Sequence, residues 1–556
     1  MKTSLSGGGL LLKALYKAGI DRFFINSGTE YVSLLLDYRV LDNDERPEMV
    51  VCLTENTAVS AAYGHYLGSG KPAAVLVHTV PGLLCGLPNV FNARSADVPL
   101  LFVSGLTSFS SKGYAGSRKI RVHWGQDVHD VEGVVREFVK WQYIVKTVDE
   151  IPEAVARAVE IASSKPEGPV YIGVHREWLL EKREIVRSIR SVAVSPPPSP
   201  SPEDVKRIAE KMVQSEFPVV LTRSAGRDRR AFHLLTELAE KICVRVNHAV
   251  GDYVNIPNTN IFSAKFDIEE ADFVLVLDTD VPWLPVEEWP ADVYRVSVGP
   301  DPLKTRLNIW GYDFNEVITS DSVIFLNMLH HVVDQLKPSS DLLDERRESA
   351  KKSWSQQQRE RMEKVEMDLG RRKMTKRLAS YLLGKVLRPG TVVVNEYPLR
   401  PSYLVFDRPG TYYGEPPAGS LGWGLGAGLG VKMASPQSFV AVVLGDGSFV
   451  FNNPVSAVAM SRWYRLPVLL VVFNDGCWGD VKKSVSDVGP SPDEIGFLEG
   501  VDFPEKLDVH SIGKGLGLSS FLVESPETAS DVFSHAVSEV EKGRSALVDV
   551  RVTADF

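Results

Sequence analysis

Residues 439–448, FVAVVLGDGS, and residues 466–476, LPVLLVVFNDG, decide how this chain is read. Each is an apolar run with the β-branched bias of a strand buried on both faces of a parallel sheet. Each ends in a polar glycine turn, Gly445-Asp446-Gly447-Ser448 in the first and Asn474-Asp475-Gly476 in the second. Ligands of open parallel sheets collect outside the carboxyl ends of the strands, so the two turns can converge on one site. Carboxylate and amide oxygens there suit a hard cation such as Mg²⁺, which keeps positions free for phosphate oxygens. Glycines beside Asp446 let the backbone approach a diphosphate closely. An isolated GDG is only a turn; its pairing with a second acidic turn one strand later carries the reading.

Working outward, the third of the chain that holds these turns also contains PGTYYGEPPAGSLGWGLGAGLGVKMA (409–434), a glycine-rich segment opening a small-residue helix, and VVVNEYPLRPS (392–402), another strand end. Near the N-terminus, CLTENTAVSAAYGHYLGSGKPAAVLVHTVPG (52–82) puts Glu55 at the end of an apolar strand and the start of an Ala-rich helix. On its own, a carboxylate there favours the helix N-terminus. Residues 1–190 alternate strand-like runs (DRFFINSG, EMVVCLTE, AAVLVHTV, VPLLFVSG, GPVYIGV) with helical stretches, as in an α/β domain with a parallel sheet. SVAVSPPPSPSPED (191–204) is an extended, semi-rigid spacer. A second α/β domain at 203–340 follows, with strands in FPVVLTRS, ICVRVNHA, ADFVLVLD and VYRVSVGP. Residues 341–378 are strongly charged and read as a solvated helical connector to a third α/β domain at 379–556.

Composition agrees with a multidomain enzyme. A chain of 556 residues exceeds one core and suggests about three domains. A net charge of −9 argues against nucleic acid or an anionic membrane as the main partner. No uncharged apolar run is long enough to span a bilayer, and no signal peptide or short internal repeat is visible. The four cysteines, Cys52, Cys85, Cys243 and Cys477, lack metal-ligand spacing and read as reduced residues of a cytoplasmic enzyme.

The paired turns resemble the thiamin-diphosphate motif of the family that includes acetolactate synthase, benzoylformate decarboxylase and pyruvate decarboxylase. RLPVLLVVFNDGCWGDV (465–481) is similar to the family's Pro, strand, Asn-Asn-Gly-x-aromatic-Gly segment. Registered on Pro467, the resemblance implies a Mg²⁺ held by Asp446, Asp475 and the backbone carbonyl of Cys477, with Asn474 as the fallback ligand. Two departures stand out: a slightly longer gap between the turns, and Asp475 where the family carries Asn, which adds a negative charge. The resemblance also implies that Glu55 hydrogen-bonds the pyrimidine of thiamin diphosphate and promotes the imino tautomer, so that an ylide forms and a 2-oxo acid loses CO₂ through its adduct. Gly419 would supply a carbonyl to the 4′-amino group and Leu421 the wedge between the cofactor's rings. Glu396 and Tyr397 fall where the family meets the diphosphate, as do Gly445, Gly447 and Ser448. Pro398 there is unusual because it removes an amide donor.

The implied fold is three doubly wound parallel-sheet α/β domains in pyruvate decarboxylase-like order, and the implied assembly is a homodimer or homotetramer with sites between subunits. His78 matches an active-site histidine of benzoylformate decarboxylase, suited to proton relay or carboxylate recognition. Thr29, in INSGTE, and Gln126, in HWGQD, match pocket positions; Trp478 either shapes the substrate pocket or packs. The FAD-binding acetolactate synthases carry a Gly-Met-His-Gly-like string that is absent, so FAD is not expected. The central LDTDVPWLP lacks the histidine of benzoylformate decarboxylases. Protonation of the intermediate to an aldehyde and its capture by a second carbonyl both stay open. The alternatives are a non-catalytic, regulatory use of the fold and a nicotinamide-dependent oxidoreductase, which lacks a well-placed G-x-G-x-x-G.

Overall fold

The computed structural model describes residues 4–184, 191–284, 293–336, 338–489, 494 and 496–553. Three parallel sheets follow one another along the chain. The first runs Glu48–Val51, Arg22–Ile25, Ala73–His78, Leu100–Leu106, Val170–His175, Trp141–Ile144 in spatial order. The central sheet runs Arg245–Asn247, Pro218–Leu221, Phe273–Leu277, Tyr294–Gly299, Glu316–Thr319. The third runs Tyr412–Tyr413, Val392–Glu396, Val440–Gly445, Leu469–Asn474, Ala546–Arg551, Ser519–Val523. All neighbours within these sheets are parallel, and a two-stranded antiparallel piece (Ser4–Ser6 with Lys182–Glu184) closes the first domain. The expected boundary at residue 190 and the terminus at 556 lie outside the described residues.

Burial explains why the central strands read as continuous apolar runs. In the third sheet, Val440, Val442, Leu444, Leu470 and Val472 join one core cluster, while Ala441, Val443, Leu469, Val471 and Phe473 join another on the opposite face. A strand covered on both faces has no polar side to alternate with.

The first and third sheets have the same topology. Numbering strands by order along the chain within each sheet, both read 2-1-3-4-6-5. The equivalent helices of the two domains, Glu55–Ser69 and Gly424–Ala434, pack on each other and weld both sheets into one shared core. Their approach is close enough to exclude side chains: a Cβ at Gly64 would lie 1.9 Å from the Ala427 carbonyl oxygen, and one at Gly430 2.0 Å from that of Ala61. The glycine richness of residues 422–430 is therefore demanded by packing.

The charged connector is a single helix, Ser340–Gly370, but not a wholly solvated one. Arg346 is buried and donates to the carbonyls of Ile242, Val213 and Ser215, taking up carbonyl groups left open where two central-domain helices end. At its other end Asp368 is buried and holds Arg377 through two 2.9 Å hydrogen bonds. The helix is thus docked to both domains it joins.

Candidate active site

In each duplicated domain, strand order reverses between the first and third strands, and side chains collect at that switch point. In the first domain the strands are Arg22–Ile25 and Ala73–His78. The turn after the first carries Glu30, which is 2% exposed, and the second ends on His78. His78 Nδ1 lies 2.7 Å from Glu30 Oε2, and His78 Nε2 lies 2.9 Å from the Gln126 side-chain nitrogen. With the Nδ1 proton donated to Glu30, Nε2 accepts from the Gln126 amide. The Glu30 hydrogen bond raises the His78 pKa above its ordinary value, opposed by burial. The negative charge of Glu55, at the N-terminus of the neighbouring helix, acts on His78 in the same direction. Glu30 Oε1 is buried with no hydrogen-bond partner. The pair fits only because a glycine faces it: a Cβ at Gly28 would lie 2.0 Å from His78 Nδ1. Thr79, immediately after His78, sits at φ 39°, a conformation costly for a β-branched residue and of the kind stored at functional sites. Thr29 is exposed and takes no part in this cluster's hydrogen bonds.

In the third domain the switch-point strands are Val392–Glu396 and Val440–Gly445. Asp446, 2% exposed, opens the helix Asp446–Phe451. Its Oδ1 accepts from Gly447 N at 2.8 Å and its Oδ2 from Gly476 N at 2.9 Å, so the two acidic turns are tied together through this carboxylate. Burial, and secondarily the Asp475 charge, push the Asp446 pKa up to about 6. Asp475 therefore shares the electrostatic field of Asp446, whereas Asn474 turns the other way, its Nδ2 donating to Leu507 O at 2.8 Å and Asp549 Oδ1 at 3.1 Å. Lys376 Nζ stands 2.8 Å from Asp475 Oδ2.

Three expected contacts take another form. The Glu396 carboxylate faces the helix Gly424–Ala434, where it accepts from the backbone N–H groups of Gly422, Trp423 and Gly424 and from Asn452 Nδ2, at 2.5–3.0 Å. It satisfies the open donors of a helix N-terminus, and a buried carboxylate filled by four donors does not also face a diphosphate. Tyr397, at φ 80°, donates its hydroxyl to Gly419 O at 3.1 Å, leaving that carbonyl a second lone pair. Trp478 packs: its ring lies where a Cβ of Gly447 would be, 2.3 Å away, and edge-on to Phe451 and Phe503. Leu421 is half-buried beside the cradle.

The loop carrying Gly419 and Leu421 is held from the first domain. Asn92 Nδ2 donates to Ser420 O and its Oδ1 accepts from Ser420 N, while Asn56 and Asn89 both donate to Gly422 O. No hydrogen bond, ion pair or ring contact joins the Glu30–Glu55–His78–Gln126 cluster to the Asp446–Asp475 cluster among the described residues.

Two sequence families match the chain, thiamine pyrophosphate enzyme, N-terminal TPP binding domain over residues 5–132, and thiamine pyrophosphate enzyme, C-terminal TPP binding domain over residues 400–550. The chain belongs to the thiamine pyrophosphate enzyme family. The benzoylformate decarboxylase of Pseudomonas aeruginosa is 24% identical, covering 96% of this chain and 97% of its own length. The acetolactate synthase isozyme 3 large subunit of Escherichia coli is 22% identical over 99% of this chain and 95% of its own. In three dimensions, the crystal structure of benzoylformate decarboxylase from Polynucleobacter necessarius superposes with a TM-score of 0.76 at 19% identity, over 99% of both chains. The two clusters thus lie in the two thiamine pyrophosphate-binding domains of a family enzyme related to decarboxylases and acetolactate synthases.

The third-domain turns fit a divalent cation. Two buried carboxylates beside one another, one of them pushed up in pKa by burial and by its neighbour, carry one negative charge more than Lys376 offsets. Among the described residues no group of three or more His, Cys, Asp or Glu side chains could hold a metal. A cation here would draw on Asp446, Asp475 and a main-chain carbonyl, with phosphate or water oxygens completing its shell. For a family enzyme the sequence reading missed Glu30 and Lys376. Glu30 stood beside Thr29 in the segment already singled out, and an acidic residue at a strand end facing a histidine strand end was its signal. Among the described residues no helix is long and apolar enough to cross a membrane.

Proposed function

We propose that the protein is a thiamin-diphosphate- and Mg²⁺-dependent decarboxylase of a 2-oxo acid that protonates the remaining carbon and releases an aldehyde. The observation that carries this reading is the Glu30–His78–Gln126 chain beside Glu55 at the first domain's switch point. When bound, thiamin diphosphate supplies the nucleophilic carbon and the electron sink for loss of CO₂. Glu55 holds the pyrimidine ring through its carboxyl group. Because Nδ1 is pinned to Glu30, Nε2 is the working nitrogen of His78: it attracts the substrate carboxylate as an imidazolium and delivers the proton that replaces CO₂. Gln126 orients that nitrogen, presenting its amide oxygen in place of its N–H₂ when the ring is an imidazolium, and Thr29 lies at the pocket's edge. Asp446, Asp475 and the Cys477 carbonyl would hold the metal; Gly445, Gly447 and Ser448 would border the diphosphate, and Gly419, with Tyr397 on its carbonyl, and Leu421 the ring system. A catalytically silent use of the fold would leave a buried carboxylate–imidazole pair without purpose. The names of the relatives support a 2-oxo acid substrate.

The clusters are completed between two copies of the chain. Exposed apolar side chains, Leu53, Leu84, Phe91, Phe451, Val455 and Trp463, lie on or beside the helices that bear both half-sites, as a large homodimer contact requires. The four free cysteines suit a cytoplasmic enzyme. The test is a screen of 2-oxo acids, benzoylformate included, with thiamin diphosphate and Mg²⁺ and with CO₂ and aldehyde both measured. Equal yields of both, lost in Glu55→Gln and His78→Ala, are expected. Cofactor-loaded protein that releases no CO₂ from any 2-oxo acid would sink the proposal, and CO₂ without aldehyde would replace protonation by transfer to a second carbonyl.

A further inference from the structure

We infer that Lys376 is the counter-ion that tempers the charge of Asp475, so that Asp446, Asp475 and Lys376 together act as a site of a single net negative charge. The inference rests on the reading of Asp446 and Asp475 as the metal pair and assigns a role to a residue outside both turns.

The geometry is specific. Lys376 Nζ lies 2.8 Å from Asp475 Oδ2, with side chains 14% and 5% exposed, so the pair is sheltered from the screening that makes surface pairs weak. Its position is fixed from behind. Lys376 is the first residue of the helix Lys376–Val386, whose N-cap Thr375 accepts from Leu378 N at 3.0 Å and donates to Asp368 Oδ2 at 2.7 Å. The next residue, Arg377, grips the same buried Asp368. With its two neighbours tied to the end of the long connector helix, Lys376 projects to the metal turn. Gly479 closes over the pair: a Cβ there would be 3.2 Å from both Asp475 Oδ2 and Lys376 Nζ.

Charge explains why the chain needs it. Two buried carboxylates without compensation would bind a divalent cation tightly but cancel its charge in full, one negative charge too many for a site that must face a diphosphate. An ammonium on the second carboxylate offsets that excess while leaving its other oxygen open. Removing either partner alone should therefore unbalance the site in opposite directions, and removing both should restore it.

The test measures Mn²⁺ alone, through loss of the free-ion paramagnetic resonance signal, against Asp475→Asn, Lys376→Met, the double variant and Asp446→Ala, each checked for native circular dichroism. Asp475→Asn, which keeps the ammonium's charge at the site but removes the carboxylate's, should weaken Mn²⁺ binding about tenfold or more, and Lys376→Met should strengthen it by a similar factor. The double variant should return to within about threefold of the parent, the two opposing single effects cancelling. Lys376→Arg should stay near the parent. A double variant as weak as Asp475→Asn, or a Lys376→Met variant that binds Mn²⁺ as the parent does, would overturn the inference while Asp446→Ala still abolished binding. Full Mn²⁺ binding by Asp446→Ala would instead overturn the metal site, and the inference with it.

Discussion

Gly430→Ala sets two well-characterised effects against each other. Alanine is favoured over glycine inside a helix by about 1 kcal/mol, so propensity alone would make the variant more stable. Packing opposes this. The new Cβ would stand 2.0 Å from Ala61 O, 2.6 Å from His65 N and 2.9 Å from Ala61 C, all backbone atoms of the helix Glu55–Ser69. No side chain can rotate away, so the two helices must separate by more than an ångström along a contact that carries the shared core of the first and third domains. Overpacking of cores costs about 1–3 kcal/mol, and a backbone obstacle belongs at or beyond the upper end. Separation also forfeits dispersion contacts along the whole crossing. The net effect should be destabilisation by about 2 kcal/mol, or roughly 4–8 °C in the melting of domains of this size. Scanning calorimetry reads it, with Gly370→Ala as control: that glycine also sits in a helix, but nothing lies within 4 Å of where its Cβ would stand, so no loss is expected. A Gly430→Ala protein melting at or above the parent temperature would refute the packing argument.

Three further outcomes are expected. Glu396→Gln turns an amide N–H₂ toward backbone donors that the carboxylate now accepts, and should lower stability by about 2–3 kcal/mol in denaturant titration; an unchanged midpoint would show that the helix cap is dispensable. His78 has a raised folded-state pKa, so the stability its pairing contributes is fully present below its ordinary value of 6.5 and lost as pH rises through the folded value. The melting-temperature gap between the parent and Glu30→Gln should accordingly be widest at about pH 5.5–6.5 and narrow toward alkaline pH, and a gap independent of pH would count against the pair. Asp475→Ala should weaken joint binding of Mg²⁺ and thiamin diphosphate by calorimetric titration far more than Asn474→Ala, whereas Asn474→Ala, which cuts the tie to Leu507 and Asp549, should show the larger loss of stability; the reverse pattern would move the ligand to Asn474.

What the sequence revealed follows from where the information is stored. Val440–Gly445 and Leu469–Asn474 were legible because strands buried on both faces must be apolar throughout, and their polar endings therefore stand out. Glu316–Thr319 escaped because an edge strand of four residues with only Ile318 buried carries no such run, and Tyr412–Tyr413 is too short to show any pattern. Asp446 and Glu55 announced themselves through contiguous residues. Glu30 did not, because its meaning lies in a histidine 48 positions away, and Lys376, 99 positions before Asp475, was hidden in a run of charges that mostly faces water.

The duplicated topology was the least legible feature, and the reason is instructive. The first and third sheets share the order 2-1-3-4-6-5, yet the corresponding switch points hold unlike chemistry: Glu30 and His78 in one, Tyr397 and Asp446 in the other. Parallel-sheet topology fixes where the strand ends converge and leaves the side chains there free to diverge, so the positions repeat while the residues do not. What had to stay alike is the surface through which the two copies meet. That requirement falls on the small residues of Glu55–Ser69 and Gly424–Ala434, where Gly64 faces Ala427 and Gly430 faces Ala61. The repeat is therefore recorded in the absence of side chains at one helix crossing, a signal too sparse for sequence comparison and decisive for packing. Through that crossing, a chain with its Glu30–His78 pair in one domain and its Asp446–Asp475 pair in the other holds the two in fixed relation.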